Sequence, residues 1–223
     1  MTNSVFAPPV LGTNLALTGL PGGSSKIHDR SPYGNHGTII GATWKMLPSG
    51  LWVLSFDGGD DSIDISAIQP MPPQGTVEIW VYMANWADGV LRNLFDTSQA
   101  GGDHRILLRK QADNTPNFYM ATTTTQVNII GSALSGSGWK HWVVRYKANG
   151  CSLYIDNTLI GIDASCVMPS FIAGQGTRLG SAFDASGAFW NGLIALPYIR
   201  NRLLSALELQ NSFNRGKRLF GVW

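Results

Sequence analysis

The 223-residue chain sets 16 Lys and Arg against 14 Asp and Glu, a formal net charge of +2, so it holds no strong electrostatic attraction for nucleic acid or an anionic membrane. Charged residues are only 13% of the chain, against roughly 25% in ordinary soluble domains, and 26 Gly and 11 Pro take up much of the difference. That composition fits short strands, tight turns and a polar, uncharged surface, and no stretch reaches the ~18 apolar residues of a membrane span.

Residues 1–25 read as an extended arm, broken by Pro8, Pro9 and the run Leu20-Pro21-Gly22-Gly23-Ser24-Ser25, with Leu15-Ala16-Leu17 as a candidate edge strand. The opening MTNSVFAPPVLG has neither a basic n-region nor a long apolar h-region, so no secretory signal is expected. An apolar run at 51–56 ends in the turn cluster Asp57-Gly58-Gly59-Asp60-Asp61, and polar and apolar residues then alternate over 62–65. Residues 76–83, rich in β-branched and aromatic types, predict a central strand buried on both faces. Further strands are expected at 90–96, 104–110, 117–122, 126–131 and 139–147. A hairpin over 151–163 turns at Asp156-Asn157-Thr158, and strands at 176–183 and 190–200 complete the series. Ser205 and Glu208 form a capping-box pattern that opens a helix carrying Leu207, Leu209 and Phe213, with Gly216 as its expected stop. The tail 217–223 ends Leu219-Phe220-Gly221-Val222-Trp223; such a sequence is out of place in solvent and is expected to dock on its own domain or on a neighbour. No break in composition divides residues 26–216, so they form one domain between arm and tail. Many strands without interleaved helices leave a sandwich or a barrel. The expectation is all-β: a two-sheet antiparallel jelly-roll sandwich with one short C-terminal helix.

Several motifs, in order, support this. Asp29-Arg30-Ser31-Pro32-Tyr33-Gly34-Asn35-His36-Gly37-Thr38 resembles the D-x-S-x-x-G-N-H-G-T opening of laminin-G-like jelly-roll modules. Phe56-Asp57-Gly58-Gly59-Asp60-Asp61-Ser62-Ile63 is similar to their F-D-G-x-D-D-x-I block, and Thr76-Val77-Glu78-Ile79-Trp80-Val81 to their central strand. Trp139-Lys140-His141-Trp142-Val143-Val144, then Leu153-Tyr154-Ile155-Asp156-Asn157, resemble W-x-H-V-V and L-Y-V-D-G. Arg178-Leu179-Gly180, Phe189-Trp190-Asn191-Gly192 and the closing helix complete the series, which covers about residues 29–216. The resemblance is to the laminin-G-like and concanavalin A-like lectin and glucanase family, and it implies the jelly roll. Two departures stand out. Ile194-Ala195-Leu196-Pro197 replaces the family's late acidic pair, often tied to calcium, and Asn157 replaces the usual hairpin glycine.

Chemistry is sparse. The chain has only two glutamates, Glu78 alone on its strand and Glu208 explained by capping, so the alternating E-x-D-x-E of the glucanase branch is absent. His28, His36, His104 and His141 are scattered without zinc-site spacing, and neither a nucleophile elbow nor a phosphate loop occurs. An enzyme is not expected, and no cofactor beyond calcium, for which Asp57, Asp60 and Asp61 are the candidate ligands near Asp64. Trp80, Trp139 and Trp142 read as core. Cys151 and Cys166 read as buried free thiols, although they could meet across neighbouring strands. Binding remains. A sugar site needs aromatic faces and polar side chains; the candidates are Trp86 with Asn85 and Asp88, Arg105, and Trp190 with Asn191, followed by Trp44, Arg92, Asp103 and His104. The expected role is a non-catalytic surface-recognition and assembly module, of the kind found in capsid decoration or tail proteins, with glycan adhesion. A free-standing lectin is the alternative. The expected partners are a glycan or a viral or cell-surface protein, with a homo-oligomer on a virion or extracellular surface, otherwise in the cytoplasm.

Overall fold

Alternation along residues 75–83 sets the architecture. In strand β7 (Gly75–Met83), Val77, Ile79, Val81 and Met83 face one side and join the main core, while Thr76, Glu78, Trp80 and Tyr82 face the other. Both sides are covered, which is why the strand reads as a nearly continuous buried run. The computed structural model describes residues 12–18, 21, 25–98, 104–170 and 176–222.

Among these, sixteen strands pair into two antiparallel sheets of eight. The first sheet runs β14 (Thr158–Asp163), β13 (Gly150–Ile155), β12 (Gly138–Lys147), β7, β16 (Asn191–Arg200), β5 (Trp52–Asp57) and β4 (Thr43–Met46), with β1 (Thr13–Ala16) also paired to β16. The second runs β11 (Gln126–Ile130), β10 (Pro116–Ala121), β9 (Arg105–Lys110), β8 (Arg92–Ser98), β15 (Gly176–Leu179), β6 (Ser62–Asp64), β3 (Gly37–Ile40) and β2 (Lys26–Ile27). Their facing sides enclose the jelly-roll core, from Val77, Ile79 and Trp142 on one sheet to Phe95, Leu108 and Phe118 on the other.

A second, smaller core lies outside the first sheet. Helix α1 (Ala206–Phe220) lays Phe213 and Phe220 against Trp80, with Val53 and Leu193 beneath. Ser205 accepts from the Glu208 N–H at 3.3 Å and donates its own N–H to Glu208 Oε2 at 2.8 Å, the anticipated capping box. Gly216 does not stop the helix. It is the point of closest approach, where a Cβ would lie 2.2 Å from the Trp80 ring, and the left-handed Gly221 ends the helix instead. The tail therefore docks on its own domain, Phe220 stacking 4.2 Å from Trp139; Trp223 lies outside the described residues.

Three other expectations change. Strand β15 ends at Leu179, not residue 183: Gly180 has φ +81° with Phe56 against it, and the chain leaves the sheet there. Cys151 and Cys166 form a disulfide, Cα atoms 6.1 Å apart, because the strand of one and the loop of the other converge at the sandwich edge; they are not free thiols. Trp86 and Trp190 are fully buried, with ring centroids 6.0 Å apart in the core, so neither can offer a face to a sugar.

The expected hairpin forms, with Asp156 and Asn157 both at positive φ, a conformation both side chains tolerate. Asp29 does more than set its own turn: it accepts from the N–H of Ala16, Ser31 and Asn35, pinning that loop to β1.

Candidate functional site

The outer face of the second sheet follows from register. Arg105, Leu107 and Arg109 alternate along β9 and share the side turned away from the core. Pairing sets Asn93, Arg109, Asn117 and Ile130 in one row, and Asp96, Leu107, Tyr119 and Asn128 in the next. Arg178 and Asp64 extend the second row across β15 and β6.

This face has two layers. Asn93, Asp96, Leu107 and Asn117 form a buried floor, and Arg105, Arg109 and Tyr119 lie half-buried above it. Arg105 grips Asp96 with both ends of its guanidinium, Nε to Oδ1 at 2.8 Å and Nη2 to Oδ2 at 2.6 Å. Asn93 Nδ2 donates to Asp96 Oδ2 at 3.0 Å, and the Phe183 N–H reaches the same oxygen at 3.1 Å from the β15–β16 loop. Burial pushes the Asp96 carboxyl up, against the pull of Arg105. Burial alone would lower the Arg105 pKa, but its bonds to Asp96 outweigh that and raise it.

Arg109 is placed differently. Its Nε donates to the neutral Asn117 Oδ1 at 2.8 Å, and its guanidinium lies 5.9 Å from the Tyr119 ring centroid. No carboxylate bonds it among the described residues. Burial, and then the nearby Arg105 charge, lower its pKa. Across the strand pair from it, Asn93 Oδ1 is a buried acceptor with no donor among the described residues. The face thus offers guanidinium donors, a free amide acceptor and an aromatic ring, the groups that bond and stack on a polyhydroxylated ligand.

Most of the other sequence candidates gather at one end of the sandwich. Asn191 pairs with Asp57, and a Cβ on Gly58 would lie 3.0 Å from both Asn191 and Arg92. Asp88 joins them, 2.6 Å from Arg92 Nε and 2.7 Å from the fully buried Lys110 Nζ. These bonds hold the Asp88 carboxyl below its ordinary range, against burial that would raise it. Exposed Asn85 caps its own turn by accepting from the Ala87 N–H at 3.0 Å. Oxygens of Asp57, Asp60 and Asp61 come within 4.8 Å of one another. They also brace the turn, Asp61 accepting from the Asp57 N–H at 2.8 Å and Asp57 from the Gly59 N–H at 2.7 Å. Burial chiefly raises the Asp61 pKa.

Arg105 does not belong to this end. It lies five residues along β9 from Lys110, about 17 Å at strand spacing. Trp44 is partly buried against the core, His104 accepts from the Ser170 N–H at 3.1 Å, and Asp103 lies outside the described residues. Asn93, Arg109, Asn117 and Tyr119 were missed as site residues. Their signal was present: Arg105 and Arg109 in β9, and Asn117 and Tyr119 in β10, stand at even spacing within apolar strands, so each pair shares a face.

Glu78 is not solitary. Its Oε2 accepts from Arg200 Nη1 at 2.6 Å, and its Oε1 lies 2.9 Å from His141 Nε2 and accepts from Ser212 of α1. Glu78 and His141 are almost fully buried beneath the helix. Burial alone would raise the Glu78 carboxyl, but Arg200, His141 and Ser212 together hold it far below its ordinary range.

Two stacked antiparallel sheets, one closed outside by a helix and one bearing a polar, half-open face, define a jelly-roll sandwich. The chain belongs to the concanavalin A-like lectin/glucanase superfamily, whose family profile matches residues 57–210. No curated protein sequence is significantly similar to it. Among solved structures it is similar to the binding domain of Paraclostridial Mosquitocidal Protein 1, at 15% identity and TM-score 0.70, covering 94% of this chain and 55% of that one. It is also similar to the binding domain of botulinum neurotoxin DC, solved in complex with rat synaptotagmin II (14% identity, TM-score 0.67, 91% and 51% covered). The same domain solved in complex with SialylT matches at 14% identity and TM-score 0.69, with 92% and 51% covered. The chain thus spans about half the length of these domains, and at such identities the likeness is one of fold.

Proposed function

We propose that the chain is a non-catalytic recognition module that binds glycan across the outer face of its second sheet, and that it works from a virion-type or other extracellular surface. The observation that carries this reading is the two-layered face: a buried polar floor of Asn93, Asp96 and Asn117 beneath half-buried Arg105, Arg109 and Tyr119. Membership of the lectin/glucanase superfamily supports saccharide recognition, and structural relatives solved as binding domains support a recognition module. Both glutamates are engaged elsewhere, Glu78 under the helix and Glu208 with Ser205 and Arg202, which favours binding over glycoside hydrolysis. The disulfide fits an oxidising surrounding.

A glycan array on the purified protein tests this. Reproducible binding to one sugar class, weakened about tenfold or more by Tyr119→Ala with the fold intact, is the expected result. Silence across the array from well-folded protein would overturn it.

The assembly role rests on a separate feature. Ile130, Leu159 and Ile162 are exposed on β11 and β14, the strands that end the two sheets on the same side. Light scattering after size exclusion should show an oligomer that Ile162→Lys dissociates; a monomer at all concentrations would contradict self-association.

A further inference from the structure

Resting on the glycan reading of this face, we infer that its ligand is an anionic saccharide, with Arg109 taking the carboxylate or sulfate and Asn93 Oδ1 a neighbouring hydroxyl. The three arginines of the face are not equivalent. Arg105 is committed to Asp96 through two bonds. Arg178 is divided among Asp64, 3.4 Å away, the Phe183 carbonyl at 3.2 Å and Ser62 Oγ at 3.3 Å. Arg109 alone spends its one side-chain bond on a neutral amide, and in its half-buried setting no carboxylate of the described residues bonds it.

That placement is electrostatically costly. Partial burial and the like charge of Arg105 both disfavour the cation, and the field of Asp96, a carboxylate already bonded to Arg105, offsets them only in part. A surface arginine avoids this cost by extending into water. Arg109 instead lies beside Tyr119 above the buried Asn117, so its guanidinium stays at the sheet surface. An anionic group on the ligand would remove the imbalance, and the guanidinium fork matches a carboxylate or sulfate in two parallel bonds. Asn93 supplies the second observation. Its Nδ2 is held by Asp96, which fixes the orientation of the amide and leaves Oδ1 as a buried acceptor opposite Arg109. A hydroxyl next to the acidic group satisfies it, whereas a bare inorganic anion does not.

Titration calorimetry on the full chain with matched sugars tests this: 3′-sialyllactose against lactose, and 6-sulfated against unsulfated N-acetyllactosamine. The acidic member of at least one pair is expected to bind roughly 10- to 100-fold more tightly, with the preference falling as salt rises. The pair that discriminates tells a carboxylate from a sulfate. Arg109→Gln should abolish the preference, and Arg109→Lys, which keeps the charge and loses the fork, should restore part of it. Equal binding of acidic and neutral sugars, or a preference that survives Arg109→Gln, overturns the inference and leaves the glycan reading standing. If no sugar of either pair and none on the array binds, the glycan reading falls and this inference with it.

Discussion

On the outer face of the first sheet, Glu78 meets Arg200, His141 and Ser212 beneath helix α1. On the outer face of the second, Asp96 meets Arg105 and Asn93 at a half-open surface, and beside them Arg109 bonds only an amide. Both faces hold a buried carboxylate gripped by an arginine, yet among the described residues only the first is closed by a further layer of the chain. A buried carboxylate with several donors and a covering helix is a structural device. The same chemistry left half-open, with a cation and an amide oxygen to spare, is available for a ligand. The comparison separates groups that hold the molecule together from groups that can hold something else.

Removing the centre of the closed network should have the largest effect. Glu78→Ala leaves Arg200 and His141 buried without their partner and should cost about 3–5 kcal/mol in urea denaturation. Trp86→Ala should cost a similar amount, about 3–5 kcal/mol, since the indole is core. Binding lost by that variant only in step with unfolding would confirm that Trp86 is not a ligand platform. Acid should act on the same network. The Glu78 contribution is complete above its unfolded pKa near 4.5 and drains away as pH falls below that toward its depressed folded value. A melting temperature that holds steady from pH 7 down to 3 would contradict this. Next comes Gly216→Ala, which forces a methyl into the Trp80 ring and should cost about 1–3 kcal/mol. Smallest in stability is Arg109→Gln, expected within about 0.5 kcal/mol because the residue anchors nothing but Asn117. A large drop in melting temperature there would place Arg109 with the structural groups.

The fold was legible in the sequence because strands advertise themselves by type and period. Residues 76–83 read as a doubly buried strand, and Ser205 with Glu208 read as a cap, since both signals are local. Gly216 misled for a physical reason: a glycine that ends a helix and one that lets a helix approach an indole look the same in sequence. The site was harder. Trp86 and Trp190 looked like platforms because loop chemistry surrounds them, but their burial depends on how loops fold over the sandwich end. Arg105 was legible as a candidate, yet its partner Asp96 lies on a neighbouring strand whose register no local pattern fixes. Glu78 looked solitary for the same reason: Arg200 and Ser212 are more than 120 residues away along the chain.

The most direct test is to map amide shifts by NMR during titration with 3′-sialyllactose. If the second sheet is the recognition face, the perturbed residues cluster on Asn93, Arg105, Arg109, Asn117 and Tyr119, and helix α1 stays silent. Shifts confined to the loops around Asp57, Asp88 and Asn191, with β8, β9 and β10 unmoved, would place the binding site at the sandwich end and contradict the account.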